Sequence, residues 1–212
     1  SITGQWARGI RSDASFNTIL NNGIINIKGD GSFGIISQDS RHYFANGAVV
    51  ITNYGTIIVS GDQIEDDTDK PSGIKLETIN STINNYGTIS ASGLNSRAIT
   101  VQSGFTNATV NLYRGSIIIG DIIAEDSAGN KLNINTGVGS SYAYSIKSDL
   151  TGGALRSSYW TIRDLDNRPA VFKYLDNGSH IYTDLAYAAG IGAQETATEM
   201  LYQRTYSITK SL

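Results

Sequence analysis

The 212-residue chain contains no cysteine. Disulfides, thiolate zinc sites and cysteine nucleophiles are thereby excluded. The absence suits a cytosolic protein, and equally a bacterial secreted protein for which a disulfide would hinder export. Proline occurs only twice beside 23 glycines, which excludes collagen-like and proline-rich disordered chains. Charged residues make up 17%, against about 25% in a typical globular domain. Net charge is -3 and no run of lysine or arginine exists, so nothing offers the basic patch that nucleic acid requires. No stretch approaches the roughly 18 apolar residues of a membrane-crossing helix. No signal peptide stands at the start, and Ser1-Ile2-Thr3-Gly4 reads as a mature or excised terminus.

What remains is rich in Ile, Asn, Ser, Thr and Gly, a β-forming composition. Four segments resemble one another. They are Phe16–Gly29, Val49–Gly61 and Ser81–Gly93, with a more degenerate fourth at Val110–Gly120. Each reads as strand, Asn-x-Gly corner, strand, glycine. Asn and Gly both tolerate the positive φ of a sharp corner. Further strand candidates lie between the units, at Phe33–Ile36, Ile74–Leu76 and Ala98–Val101. A unit with three short strands cannot bury its own apolar face, but stacked units can. Like residues then lie above like, about 4.8 Å apart. The alignment predicts Ile51 on Ile83, Ile57 on Ile89, an amide ladder through Asn53 and Asn85, and Tyr54 stacked on Tyr86. The expected fold is all-β: a right-handed parallel β-helix with a β-rich C-terminal cap and a short helical tail. The alternative is a β-sandwich with similar turns.

The repeat fades after Lys131–Gly137, which still reads as a coil. Aromatic strand-like runs follow at Ser141–Ile146, Tyr159–Arg163, Ala170–Tyr174 and His180–Leu185. Asp176-Asn177-Gly178 is a hairpin signal between the last two. This region is expected to close the solenoid end. The last stretch, from Ala193, carries Glu195 and Glu199 early and Arg204 late, with apolar residues at helical spacing. The expected division is coils over 1–138, a cap over 139–188, and a helical tail or linker over 189–212.

These features resemble the passenger domains of type V autotransporters of Gram-negative bacteria, in the pertactin-like group. The resemblance rests on Asn-Tyr-Gly-Thr-Ile at 53–57 and 85–89, Asn-Asn-Gly-Ile-Ile at 21–25, the missing cysteine, and the order coil, cap, helical tail. It covers Phe16 to Gly137 by repeat and extends to Leu185 by architecture. It implies a cap that nucleates folding, a cell-surface or extracellular location, and a membrane β-barrel translocator C-terminal in the precursor. No barrel sequence lies in this chain.

Little here points to catalysis. Only His42 and His180 are present, with no His-x-x-x-His and no Gly-x-Ser-x-Gly elbow. Repeat-equivalent positions carry Asn, Ser and Thr, so carboxylates are not expected to converge from neighbouring coils, as glycan processing on this scaffold requires. No cofactor or metal is expected. Binding is expected in loops that leave the coil, namely Arg41, His42 and Tyr43 in one, and Asp62, Glu65, Asp66, Asp67 and Asp69 in another. The expected function is non-catalytic, that of an adhesin or virulence factor engaging a host protein, a glycan or itself. The alternatives are a polysaccharide-processing enzyme, and a stalk or folding nucleus that binds nothing.

Overall fold

The computed structural model describes residues 1–13, 16–38, 47–65, 70–125, 127–135, 141–147, 159–165, 172–175 and 180–184. All their regular structure is strand. β1 (Ile2–Thr3) and β2 (Arg8–Ser12) come first. Then come three similar passes: β3 (Thr18–Asn21), β4 (Ile24–Lys28) and β5 (Phe33–Gln38); β6 (Val50–Asn53), β7 (Thr56–Ser60) and β8 (Ser72–Glu77); β9 (Thr82–Asn85), β10 (Thr88–Ser92) and β11 (Arg97–Val101). A fourth holds β12 (Thr109–Leu112), β13 (Ile117–Ile119) and β14 (Asp121–Ala124). β15 (Asn130–Ile134), β16 (Ser141–Lys147), β17 (Trp160–Asp164), β18 (Phe172–Leu175) and β19 (His180–Asp184) complete the chain order.

Successive strands visit three sheets in rotation. Sheet C is β3-β6-β9-β12-β15-β17, sheet A is β1-β4-β7-β10-β13, and sheet B runs β2-β5-β8-β11-β14-β16 before ending in β19 and β18. Every contact between successive passes is parallel, an order consistent with a three-faced parallel β-solenoid. The expected pairs Ile51↔Ile83 and Ile57↔Ile89 are in register, and all four side chains are fully buried. Parallel stacking runs past residue 138, because β16 lies parallel on β14 and β17 parallel on β15. Polarity then switches: β19 runs antiparallel to both β16 and β18. The helical tail expected over 189–212 lies outside the described residues.

Alternation sets what faces the core. Sheets A and C bury every second residue, which is why their sequences read apolar–polar. Sheet B is buried on both sides over β5, β8 and β11. One apolar cluster joins residues of all three sheets. Its packing depends on two columns of glycine. A Cβ on Gly34 would overlap Ile57 Cγ2 of sheet A, and one on Gly73 would overlap Ile89 Cγ2. At the corner between sheets C and A, a Cβ on Gly55 would overlap the Gly23 carbonyl oxygen, and one on Gly87 the Gly55 carbonyl. Those carbonyls are occupied: Gly23 accepts from Thr56 N–H at 2.9 Å and Gly55 from Thr88 N–H at 3.0 Å.

The amide ladder faces inward. Asn21 Nδ2 donates to Asn53 Oδ1 at 2.7 Å, and Asn53 Nδ2 donates to Asn85 Oδ1 at 2.7 Å. Asn85 Nδ2 then reaches Ser116 Oγ at 3.2 Å and the Gly87 carbonyl at 2.9 Å. All four members are buried. Each turn thus satisfies the polar groups that its corner would otherwise leave unpaired in the core.

Candidate functional site

Of the loop residues singled out in the sequence, Arg41, His42, Tyr43, Asp66, Asp67 and Asp69 lie outside the described residues. The structure places Asp62 and Glu65 on the connection from sheet A to sheet B. Asp62 is part of the scaffold. Its N–H donates to Asp30 Oδ1 at 2.8 Å, and its own Oδ1 accepts from Leu94 N–H at 2.6 Å, which makes a carboxylate ladder on the turn one pass below and above. Gln63 continues the pattern, accepting from Asn95 Nδ2 at 2.8 Å. Glu65 is exposed.

At the corner between sheets C and A, three phenol rings stack. Tyr54 and Tyr86 have centroids 4.6 Å apart, and Tyr86 and Tyr113 lie 4.0 Å apart, with nearly parallel planes. The third member escaped the sequence reading, because its Leu-Tyr-Arg-Gly corner departs from Asn-Tyr-Gly. Tyr86 is covered on both ring faces. Loss of solvent, with hydrogen bonding to Tyr113 and Tyr54, pushes its hydroxyl up from near 10 to about 12. Tyr54 and Tyr113, at the ends of the stack, each have one ring face with no ring on it, and Tyr54 is exposed.

Charged side chains concentrate on the outward side of sheet B. Lys75 Nζ sits 2.7 Å from Glu77 Oε1 and 5.0 Å from the Phe33 ring centroid, and Arg97 pairs with Glu125. Lys147 lies 2.7 Å from Asp121, and Arg11 pairs with Asp13. Lys75, Glu77 and Arg97 are buried. Burial holds Lys70 below the usual lysine range; Arg97 adds to the effect and Glu125 opposes it. The register also aligns Gln38 with Glu77, at the ends of β5 and β8. Gln38 is an amide, and the acids Glu77 and Asp121 lie on β8 and β14 with none on β11 between them, so among the described residues no two acids stand on neighbouring coils of this face. Over the first three passes equivalent residues recur every 32 in sheets C and A, Ile19 to Ile51 to Ile83 and Ile25 to Ile57 to Ile89, whereas Ile35 of sheet B aligns with Ile74. Glu77, Asp121 and Glu125 are each engaged by a cation.

The outward side of sheet C carries two columns. One is Thr18, Val50, Thr82, Thr109, Lys131, Thr161. The other is Leu20, Thr52, Asn84, Asn111, Asn133, Arg163. A second amide ladder runs here, Asn133 Nδ2 to Asn111 Oδ1 at 2.7 Å and Asn111 Nδ2 to Asn84 Oδ1 at 2.8 Å. Neither column contains an acid.

Among the described residues no group of three or more His, Asp or Glu could hold a metal ion, and no helix is long and apolar enough to cross a membrane. Comparison with family models, with curated proteins and with solved structures gives no match.

Proposed function

We propose that the chain is a rigid, non-catalytic display and binding module: a right-handed β-helix passenger of the autotransporter kind, capped at its C-terminal end and acting outside the bacterial cell on a host protein, a glycan or another copy of itself. The observation that carries this reading is the unbroken set of ladders on successive turns. The Asn21–Asn53–Asn85–Ser116 amides, the Tyr54–Tyr86–Tyr113 rings and the corner glycines stiffen a stack of coils without assembling a reactive centre. A stiff support lets exposed surface bind with little ordering cost. The antiparallel β18–β19 pair at the end of sheet B is the shape a cap takes, since it halts parallel growth of that edge. A β-barrel translocator would follow the tail in the precursor.

The test is binding of the labelled 212-residue chain to host cells and matrix proteins. The control replaces residues 65–69 with Gly and Ser, sparing Asp62 and Gln63 because both hold the turn ladder. Saturable binding supports the module, and its loss in the control locates the contact in that loop. A chain that folds and binds no cell or matrix surface overturns the reading in favour of a stalk.

A further inference from the structure

Charge is sorted by face. The seven carboxylates whose side chains are described are Asp13, Asp30, Asp62, Glu65, Glu77, Asp121 and Glu125. All lie on sheet B or on the connections that enter or leave it: Asp30, Asp62 and Glu65 before it, Glu77 and Asp121 on it, and Asp13 and Glu125 just past its strands. Four cations there are matched, in Arg11–Asp13, Lys75–Glu77, Arg97–Glu125 and Lys147–Asp121, while Arg8 of β2 and Lys70 have no carboxylate partner among the described residues. On the opposite side Lys131 and Arg163 project from sheet C, and Arg114 follows Tyr113 at the corner between sheets C and A. All three are exposed, and among the described residues none has a carboxylate partner. Among the described side chains the outward faces of sheets A and C thus carry no acid, and the exposed Lys131 and Arg163 stand on the second.

The chemistry of that face is narrow. It is long, since six parallel strands spaced about 4.8 Å apart extend it over about 24 Å. Its polar groups are hydroxyls and amides in register: Thr82 and Thr109 in one column, Asn84, Asn111 and Asn133 in the other. Within the ladder Asn111 uses one N–H and one oxygen lone pair, Asn84 one lone pair and Asn133 one N–H, which leaves each amide at least one donor and one acceptor for a ligand. Groups that both donate and accept suit ligand hydroxyls. Unmatched cations at the β15–β17 end suit anions. The adjoining rings stack on one another, so they offer no run of open faces on which successive bases of a single strand would stack.

We infer that the outward face of sheet C, with Lys131, Arg163 and Arg114 at its C-terminal end, binds an acidic polysaccharide lying across the strands. The Thr and Asn columns take sugar hydroxyls, and the three cations take carboxylate or sulfate groups. This deepens the display reading and rests on it, naming the ligand class and moving the contact from the loops to a sheet face.

The experiment measures binding of the full chain to immobilised hyaluronate, to dextran sulfate and to uncharged dextran, across a salt series. Binding to one or both polyanions and not to dextran is expected, and the two polyanions distinguish carboxylate from sulfate recognition. Affinity should fall steeply with salt, and the double variant Lys131→Ser/Arg163→Ser should weaken it roughly tenfold or more, with a salt slope shallower by about two. Both residues are exposed and unpaired, so the variant should fold; its unfolding midpoint checks this. Arg11→Ser, which removes one cation from the sheet B side, should leave binding unchanged. The inference is overturned if dextran binds as well as the polyanions, if the double variant binds normally, if a single-stranded oligonucleotide binds tighter than either glycan, or if neither polyanion binds. Failure here with binding to cells retained leaves the display module standing, and failure of both removes it.

Discussion

Replacing Asn53 by alanine isolates what the inner amide ladder contributes. Asn53 is fully buried and makes three side-chain bonds: it accepts from Asn21 Nδ2 at 2.7 Å and donates to Asn85 Oδ1 at 2.7 Å and to the Thr88 carbonyl at 3.2 Å. The variant leaves a donor on Asn21 and an acceptor on Asn85 without their partner. A buried polar group left unsatisfied costs about 1–3 kcal/mol. Asn21 lies near the end of the stack and retains slight exposure, so it regains water more easily than Asn85. The two orphans together should cost about 3–4 kcal/mol, before any loss from the small cavity. Asn21→Ala removes one ladder bond and the bond from Gly23 N–H, and leaves a single buried orphan, Asn53 Oδ1, so it should cost about 1–2 kcal/mol. Urea unfolding followed by far-ultraviolet circular dichroism measures both. Because stacked repeats can unfold in steps, coincidence with tyrosine fluorescence must be checked before midpoints are converted to free energies. Equal costs at the two positions would refute the reasoning, as would a loss below about 1 kcal/mol for Asn53→Ala.

Other positions give sharper contrasts. Gly55→Ala should fail to fold or should lower the unfolding midpoint severely, because its Cβ meets the backbone carbonyl of Gly23, whereas Gly23→Ala has open space and should be tolerated. Asp62→Ala should cost about 1 kcal/mol by freeing Leu94 N–H, and Asp62→Asn should recover most of it by keeping an acceptor. Arg97→Met leaves Glu125 without its ion-pair partner beside a buried face and should cost about 3–5 kcal/mol; adding Glu125→Leu should restore much of the loss, measured as a double-mutant cycle. Tyr86 holds its proton to about pH 12, above the ordinary value near 10, so folding favours its neutral form. Its contribution is therefore complete below about pH 10 and is lost as pH rises towards 12. Near-ultraviolet absorbance should show one tyrosine ionising late, and Tyr113→Phe should bring it back towards the others.

The parts of the fold that could be read in advance are those where residue identity, spacing and face coincide. Asn21, Asn53 and Asn85 recur every 32 residues because the long connection leaving sheet B in one turn (Gln38 to Val50) is matched by the long connection entering it in the next (Ser60 to Ser72), so ladder partners could be paired by counting. Which way the ladder faced could not be counted, since one residue of slip moves a strand's side chains to the opposite face. The inward choice follows from the bonds: each Asn satisfies its neighbour and a corner carbonyl, so amides cost little in the core and hold the turn. Sheet B resisted for two reasons. Its connections vary in length, so Gln38 and Glu77 are neighbours in space but not in the repeat. Both its faces are buried, so it lacks the alternation that marks sheets A and C. Tyr113 was hidden by a changed corner. Asp62 looked like a loop residue because acids and proline follow it, yet its carboxylate caps a backbone N–H one turn up.

The two polar ladders have different consequences because of where they lie. Buried, the Asn21–Asn53–Asn85 series spends its donors and acceptors within the fold, and register is what it provides: a turn shifted by one residue would strand several amides at once. Placed outside, the Asn84–Asn111–Asn133 series gains little for stability, since water could serve each amide as well. Its regularity fixes the spacing of free donors and acceptors on a surface that cannot easily deform. Sheet B holds Lys75, Arg97 and Lys147 in ion pairs, while sheet C leaves Lys131 and Arg163 without a carboxylate partner among the described residues, beside those amides. A face selected only for solubility would gain from acids interspersed among its cations. Their absence from both columns of sheet C, beside two exposed cations, is the observation on which the proposed anionic ligand rests.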